Sequence, residues 1–188
     1  MIARFDIRRS DNDRRKIALE DMASNRGGAP SDKYEGSIEQ VARALRSISS
    51  NAEADISVLL GRAVFAWFIA DGDFHLKNMA VLRVAPDGGQ NFSSVRFAPT
   101  YNTVTTRVFP GLENDQLALL LAGKRNRLSA RDVVRAGVTM GFRAEVARAC
   151  IESLCGRLSA YLEDLEPASR RVERATEIWK NRIETTVG

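Results

Sequence analysis

The feature that most constrains this chain is an abrupt change of polarity between residues 64 and 84. VFAWFIA (64–70) and MAVLRV (79–84) are strongly apolar. Between and overlapping them, ADGDFHLKN (70–78) carries two aspartates, the only histidine of the chain, a lysine and an asparagine. Upstream, Ile56, Leu59, Leu60, Ala63, Val64, Trp67 and Phe68 recur at intervals of three and four. That spacing predicts a helix from about Ala52 to Ala70 with one core-facing stripe. Downstream, MAVLRV, a PDGG turn (86–89) and SVRFA (94–98) have the pattern of a β-hairpin. A polar loop is therefore mounted between two elements that must be buried.

The remaining pattern is mostly helical. IARFDI (2–7) alternates like a strand, residues 8–16 read as a charged connector, and IALEDMA (17–23) begins a short helical pattern. SNRGGAPSDK (24–33) reads as a loop. Ser37 with Gln40 forms a capping box for a helix reaching Arg46 or Ile48. QLALLLAG (116–123) is a short apolar run, and Ser129 can cap a helix over 130–136. A longer helix is predicted over 143–165, its apolar positions being Val146, Ala149, Cys150, Leu154, Leu158, Tyr161, Leu162 and Leu165. Pro167 ends it, and a last helix follows from about Ser169 to Ile183 with Val172, Ala175, Trp179 and Ile183 on one face. The fold class expected is α+β, mostly α-helical, as a single domain over residues 1–188 with a small hairpin carrying the polar loop.

With 188 residues, 44% of them hydrophobic and 28% charged, the chain can bury a core of one domain. No apolar stretch reaches the roughly 18 residues of a membrane span. The first residues lack the apolar segment of a signal peptide, so the expected location is cytoplasmic. Cys150 and Cys155 lie on different faces of a helical pattern, which argues against a disulfide or a zinc site. Net charge +4 and a pI of about 9.4 permit contact with polyanions, with local excess of basic residues at 8–16 and 124–135. No helix-turn-helix signature or aromatic–basic interleaving supports direct nucleic-acid binding.

Asp73 and Asn78 are five residues apart. Protein kinases use that spacing in their catalytic loop, where an aspartate accepts the proton of the attacking hydroxyl and an asparagine oxygen holds magnesium. One loop carries both because the attacking oxygen and the metal are only a few ångströms apart. Lys77, between them, could neutralise a transferred phosphoryl group. Asp71 could cap the loop at the end of the preceding helix and contact nothing.

The stretch VFAWFIADGDFHLKNMAVL (64–82) resembles the catalytic loop of the HipA-like serine/threonine kinases. RFD (4–6), EDM (20–22), KYEG (33–36), FAPTYN (97–102) and LALLLAGKRNRLSARD (117–132) resemble other family segments in the same order. The resemblance implies the C-terminal lobe of a toxin kinase from a bacterial toxin–antitoxin module, which uses ATP and Mg2+ to phosphorylate protein serine or threonine. It implies Asp73 as general base, His75 and Lys77 as parts of the catalytic loop, and Asn78 and Asn102 as metal-side residues. It places Tyr34 and Glu35 at the mouth of the site. His75 is expected to shape the loop rather than to transfer protons. Expected partners are an N-terminal kinase lobe supplied in trans, an antitoxin or a substrate protein, with nucleic acid reached only through an antitoxin. Self-association through the exposed half-cleft is a further expectation.

Two departures from the family pattern stand out. Its FAPTYN segment normally ends in an aspartate that is the main magnesium ligand, and here that position is Asn102. Magnesium is a hard ion that favours carboxylates. Two unit charges 4 Å apart interact by about 4 kcal/mol at an effective dielectric of roughly 20, so the loss weakens metal chemistry by orders of magnitude. Asp71, Asp73 or Asp115 could partly substitute. The second departure is that only 72 residues precede Asp73, with lysines at 16 and 33 alone, and the adjacent Gly27 and Gly28 form no G-x-G-x-x-G. The N-terminal ATP-binding lobe is expected to be absent. The chain alone should then be inactive, either as half of a kinase or as a degenerate lobe that binds a protein partner.

Overall fold

The computed structural model describes residues 4–10, 13–27, 29–85 and 91–187. The chain is mostly helical. A small hairpin of β1 (Ile7–Ser10) and β2 (Asp13–Lys16) precedes a three-stranded antiparallel sheet of β3 (Ala18–Asp21), β4 (Ala80–Val84) and β5 (Ser94–Phe97), in the order β3-β4-β5. The helices are a single turn α1 (Met22–Asn25), then α2 (Ile38–Ile48), α3 (Ala52–Phe68), α4 (Ala130–Thr139), α5 (Ala144–Asp164) and α6 (Arg170–Val187).

Two expectations are corrected near the N-terminus. Residues 8–10 and 13–16 belong to the two strands of a hairpin and not to a connector, with Ile7 paired to Lys16. The helical pattern assigned to 17–23 is β3 for most of its length, followed by α1. The local pattern loses to pairing: Asp21 lies opposite Ala80 and Ala18 opposite Arg83, so β4 supplies the ladder that decides the conformation. The PDGG turn lies outside the described residues, while β4 and β5 pair as expected, Val81 opposite Phe97.

The helix caps follow the sequence closely. Ser37 and Gln40 cap one another at the start of α2. Ser129 and Asp132 do the same for α4, which runs three residues beyond the expected end. The whole predicted stripe of α3 is buried, from Ile56 to Phe68. α2, α5 and α6 pack around this helix. In α5 the buried face is Ala147, Ile151, Leu158 and Leu162, whereas Val146 and Tyr161, expected inside, are exposed. Ala175 and Ile183 of α6 are buried, and the half-buried Trp179 donates its indole N–H to Ile69 O and Thr105 Oγ1. Cys150 and Cys155 are free and half-buried. Among the described residues no helix is long and apolar enough to cross a membrane.

Helices α4 and α5 meet at Gly137, where an added Cβ would sit 2.6 Å from the Ala147 methyl and 3.5 Å from Leu60. Gly156, on the exposed side of α5, has no described atom within 4 Å of such a Cβ. Gly137→Ala should therefore destabilise the protein by about 1–3 kcal/mol through overpacking. Gly156→Ala should stabilise it by about 0.5–1 kcal/mol through helix propensity. Urea unfolding midpoints of the two variants should move in opposite directions.

Candidate functional site

The polar loop starts where α3 ends. Ala70 adopts a left-handed conformation with φ 56° that turns the chain out of the helix. Its carbonyl then accepts hydrogen bonds from the Thr106 N–H and hydroxyl. Thr106 Oγ1 also accepts from the Gly72 N–H at 3.1 Å. Gly72 has no room for a side chain, because a Cβ there would run into the Asp115 carboxylate and come within 2.8 Å of Thr106 Oγ1. Asp71 is buried at the centre of the turn. Its Oδ1 accepts from the Asp73 N–H at 3.0 Å, and its Oδ2 from the Val104 N–H at 3.5 Å. It is thus a cap on the loop, facing the backbone of both segments.

These bonds present Asp73, whose side chain is 36% exposed. The Asn78 amide donates to the Asp73 carbonyl at 2.6 Å and to Asp73 Oδ2 at 3.2 Å. Tyr34 donates its hydroxyl to Asp73 Oδ1 at 3.4 Å. His75 Nε2 lies 3.3 Å from the same oxygen. The His75 ring is buried edge-on against Tyr34, and its Nδ1 has no hydrogen-bond partner among the described residues. Burial pulls its pKa below the ordinary histidine value, with the Asp73 carboxylate acting in the opposite sense. The ring is therefore neutral at pH 7, a fixed wall beside Asp73 rather than a source of charge.

Asn78 points its other amide atom the opposite way. Asn78 Oδ1 accepts from Asn102 Nδ2 at 3.0 Å. Asn102 holds a left-handed backbone with φ 53°, which asparagine tolerates better than most residues. The amide orientations lock one another: Asn78 must turn its NH2 toward Asp73, which leaves its oxygen for Asn102 to donate to. Two neutral oxygens, one already engaged by an N–H, do not fit a hard divalent ion that favours carboxylates. The residues present thus do not match the magnesium site that the resemblance implies.

The structure gathers Tyr34, Asp73, His75, Asn78 and Asn102 as expected. Lys77 and Glu35 stand apart. The Lys77 side chain is exposed, and its carbonyl accepts from the Tyr101 hydroxyl. Glu35 meets its neighbours through its carbonyl, which accepts from Arg26, and no hydrogen bond brings its carboxylate to the loop among the described residues. Asp115 lies against Gly72. It joins Tyr34, Asp73, Val104, Phe109 and Leu112 around a groove of about 410 Å³ that opens beside the Asp73 carboxylate.

A residue that sequence reasoning missed holds this arrangement together. Arg62, on α3, is 6% exposed. Its guanidinium donates to Ala98 O at 3.1 Å and to Asn78 O at 3.2 Å, and it stacks 4.6 Å from the Phe97 ring centre. Burial pulls its pKa down to about 10. Among the described residues no carboxylate pairs with it. The signal was available as a lone charge inside the apolar run LLGRAVFAWF, where a buried arginine requires carbonyl partners.

The fold and site together define an α+β lobe whose polar loop sets one half-exposed aspartate between a core helix and a sheet. The family model for the HipA-like C-terminal domain matches residues 1–162, and the chain belongs to that family. A protein of Sinorhizobium fredii (strain NBRC 101917 / NGR234) named "Putative kinase Y4dM" is 29% identical over 115 residues, which are 61% of this chain and 26% of that protein. In the solved complex of the Shewanella oneidensis MR-1 toxin–antitoxin proteins HipA and HipB with their operator DNA, a matching chain superposes with a TM-score of 0.76 at 18% identity. The match covers 97% of this chain and 47% of that one. The chain thus spans about half or less of the length of the proteins it matches, and the likeness to the solved complex establishes the fold.

Asp71 makes a pH prediction. Burial pushes its pKa up to about 6, while the N–H groups of Asp73 and Val104 pull the other way. An unfolded aspartate titrates near 3.9, so between about pH 4 and 6 the folded state holds the extra proton. Stability that this group contributes at low pH is therefore lost as pH rises through about 6. Asp71→Asn should remove that pH-dependent part, on the order of 2 kcal/mol after residual screening. Unfolding free energies of wild type and variant, measured from pH 4 to 8, should diverge up to about 6 and run parallel above it.

Proposed function

We propose that this chain is the acceptor-side lobe of a HipA-like protein serine/threonine kinase. It seats a protein hydroxyl against Asp73 and works with an N-terminal nucleotide-binding lobe, in the same polypeptide or in trans. The observation that carries this reading is the presentation of Asp73. Asn78 and Tyr34 hold its carboxylate, and it is open to the groove flanked by Val104, Phe109 and Leu112. A carboxylate so held can orient a serine or threonine hydroxyl and accept its proton as the oxygen attacks. A neutral His75 supports this role by adding no positive charge that would weaken the base.

No phosphoryl-transfer step is assigned to Asn78 and Asn102, because their paired amides do not fit magnesium. That same pairing favours a second reading, in which the lobe binds a protein partner without transferring phosphate. A substrate protein or an antitoxin would then occupy the groove, and contact with nucleic acid would come only through the partner.

The two readings separate experimentally. The chain is combined with the N-terminal lobe of a HipA-family kinase, Mg2+, radiolabelled ATP and a mixture of candidate acceptor proteins. Under the kinase reading, Asn102→Asp raises phosphate incorporation on the order of a hundredfold or more. Asp73→Ala added to that variant abolishes it. No incorporation with Asn102→Asp would sink the kinase reading and leave the partner-binding one, which predicts a stable complex in a pull-down that Asp73→Ala leaves intact.

A further inference from the structure

A second polar site lies where α6 packs against the end of α3. Arg182 of α6 is only 5% exposed. Its guanidinium stacks 3.8 Å from the Trp67 ring centre and donates to the Trp67 carbonyl at 2.7 Å. That single bond uses one N–H of five. Among the described residues no carboxylate lies within ion-pair distance. Arg182 lines a pocket of about 310 Å³ together with Arg107 and Arg127. Asn126, Ser129, Asn181 and Thr185 complete the polar part of the wall, and the lining contains no aspartate or glutamate.

The charges facing Arg182 come from two directions. Burial and the neighbouring Arg107 pull its pKa down to about 9, and Asp115 acts in the opposite sense. Asp115 is committed elsewhere: its carbonyl accepts from Arg107 Nε, and its carboxylate faces Gly72 and the Asp73 groove. A largely buried guanidinium beside a second arginine, without a carboxylate partner among the described residues, is costly to desolvate. The cost is offset when an anion enters.

A pocket lined by three arginines and by neutral polar residues suits a tetrahedral dianion better than a carboxylate. A carboxylate offers two oxygens and satisfies one guanidinium fork, whereas a phosphoryl group offers three or four oxygens and up to two negative charges. We propose that the Arg107–Arg127–Arg182 pocket is a binding site for a phosphoanion, taken either as inorganic phosphate or as the phosphomonoester of a phosphorylated serine or threonine side chain. The site is separate from Asp73 and does not depend on phosphoryl transfer there. Arg107 follows Thr106, which holds Gly72 at the base of the loop.

The test uses the full chain and two probes, inorganic phosphate and a short phosphoserine peptide, each titrated calorimetrically at ionic strength matched with chloride. Saturable binding of phosphate or phosphopeptide is expected. Arg127→Gln, an exposed position, should weaken it by about tenfold or more, and Arg127→Lys should retain most of it. Arg107→Gln/Arg127→Gln should abolish it, with circular dichroism confirming a folded variant. Tighter binding of the phosphopeptide than of its unphosphorylated form and of phosphate identifies a phosphorylated side chain as the ligand. Equal binding of phosphate and phosphopeptide identifies the free ion. No saturable binding of either probe, or equal binding by wild type and Arg127→Gln, overturns the proposal.

Discussion

The arrangement depends on one buried arginine. Arg62 rises from the core stripe of α3 and donates to two carbonyls, Asn78 at the end of the polar loop and Ala98 just after β5. Those carbonyls belong to the two segments that carry Asp73 and Asn102. The guanidinium is desolvated, stacked on Phe97 and without a carboxylate partner among the described residues. Such a group is tolerated only while its carbonyl acceptors stay in place. The loop and the 97–102 segment are thereby tied to one rigid helix and to each other.

From that tie the site divides into two unlike halves. On one side Asp73 is supported by Asn78, Tyr34 and a neutral His75, and it faces a groove of mixed apolar and polar walls. On the other side Asn102 has turned its amide onto Asn78. With an amide the two side chains satisfy each other directly.

The sequence anticipated the site more fully than the fold around its edges. The stripe of α3, the caps at Ser37 and Ser129 and the grouping of Asp73, His75 and Asn78 were all legible, because each rests on residues within a few positions of one another. β3 was not. Residues 17–23 carry a weak helical pattern, and pairing with β4, some sixty positions away, overrides it. Val146 and Tyr161 fit the apolar pattern of α5 yet face solvent, because the position of α3 chose a narrower face. Arg62 was passed over because an arginine in an apolar helix reads as a surface residue until its carbonyl partners are known.

By itself the sequence determined that a polar loop is mounted between a core helix and a strand, with an aspartate and an asparagine five residues apart. Those features follow from periodicity and short spacing, which the chain carries locally. Tertiary structure decided what the loop is tied to. Arg62 reaches 36 residues to Ala98, and Arg182 reaches 115 residues back to Trp67. Both are charges held in the interior by distant backbone carbonyls; a local pattern can flag such a charge, as it does for Arg62, but not name its partner, because the bond's strength comes from burial that only the folded chain provides.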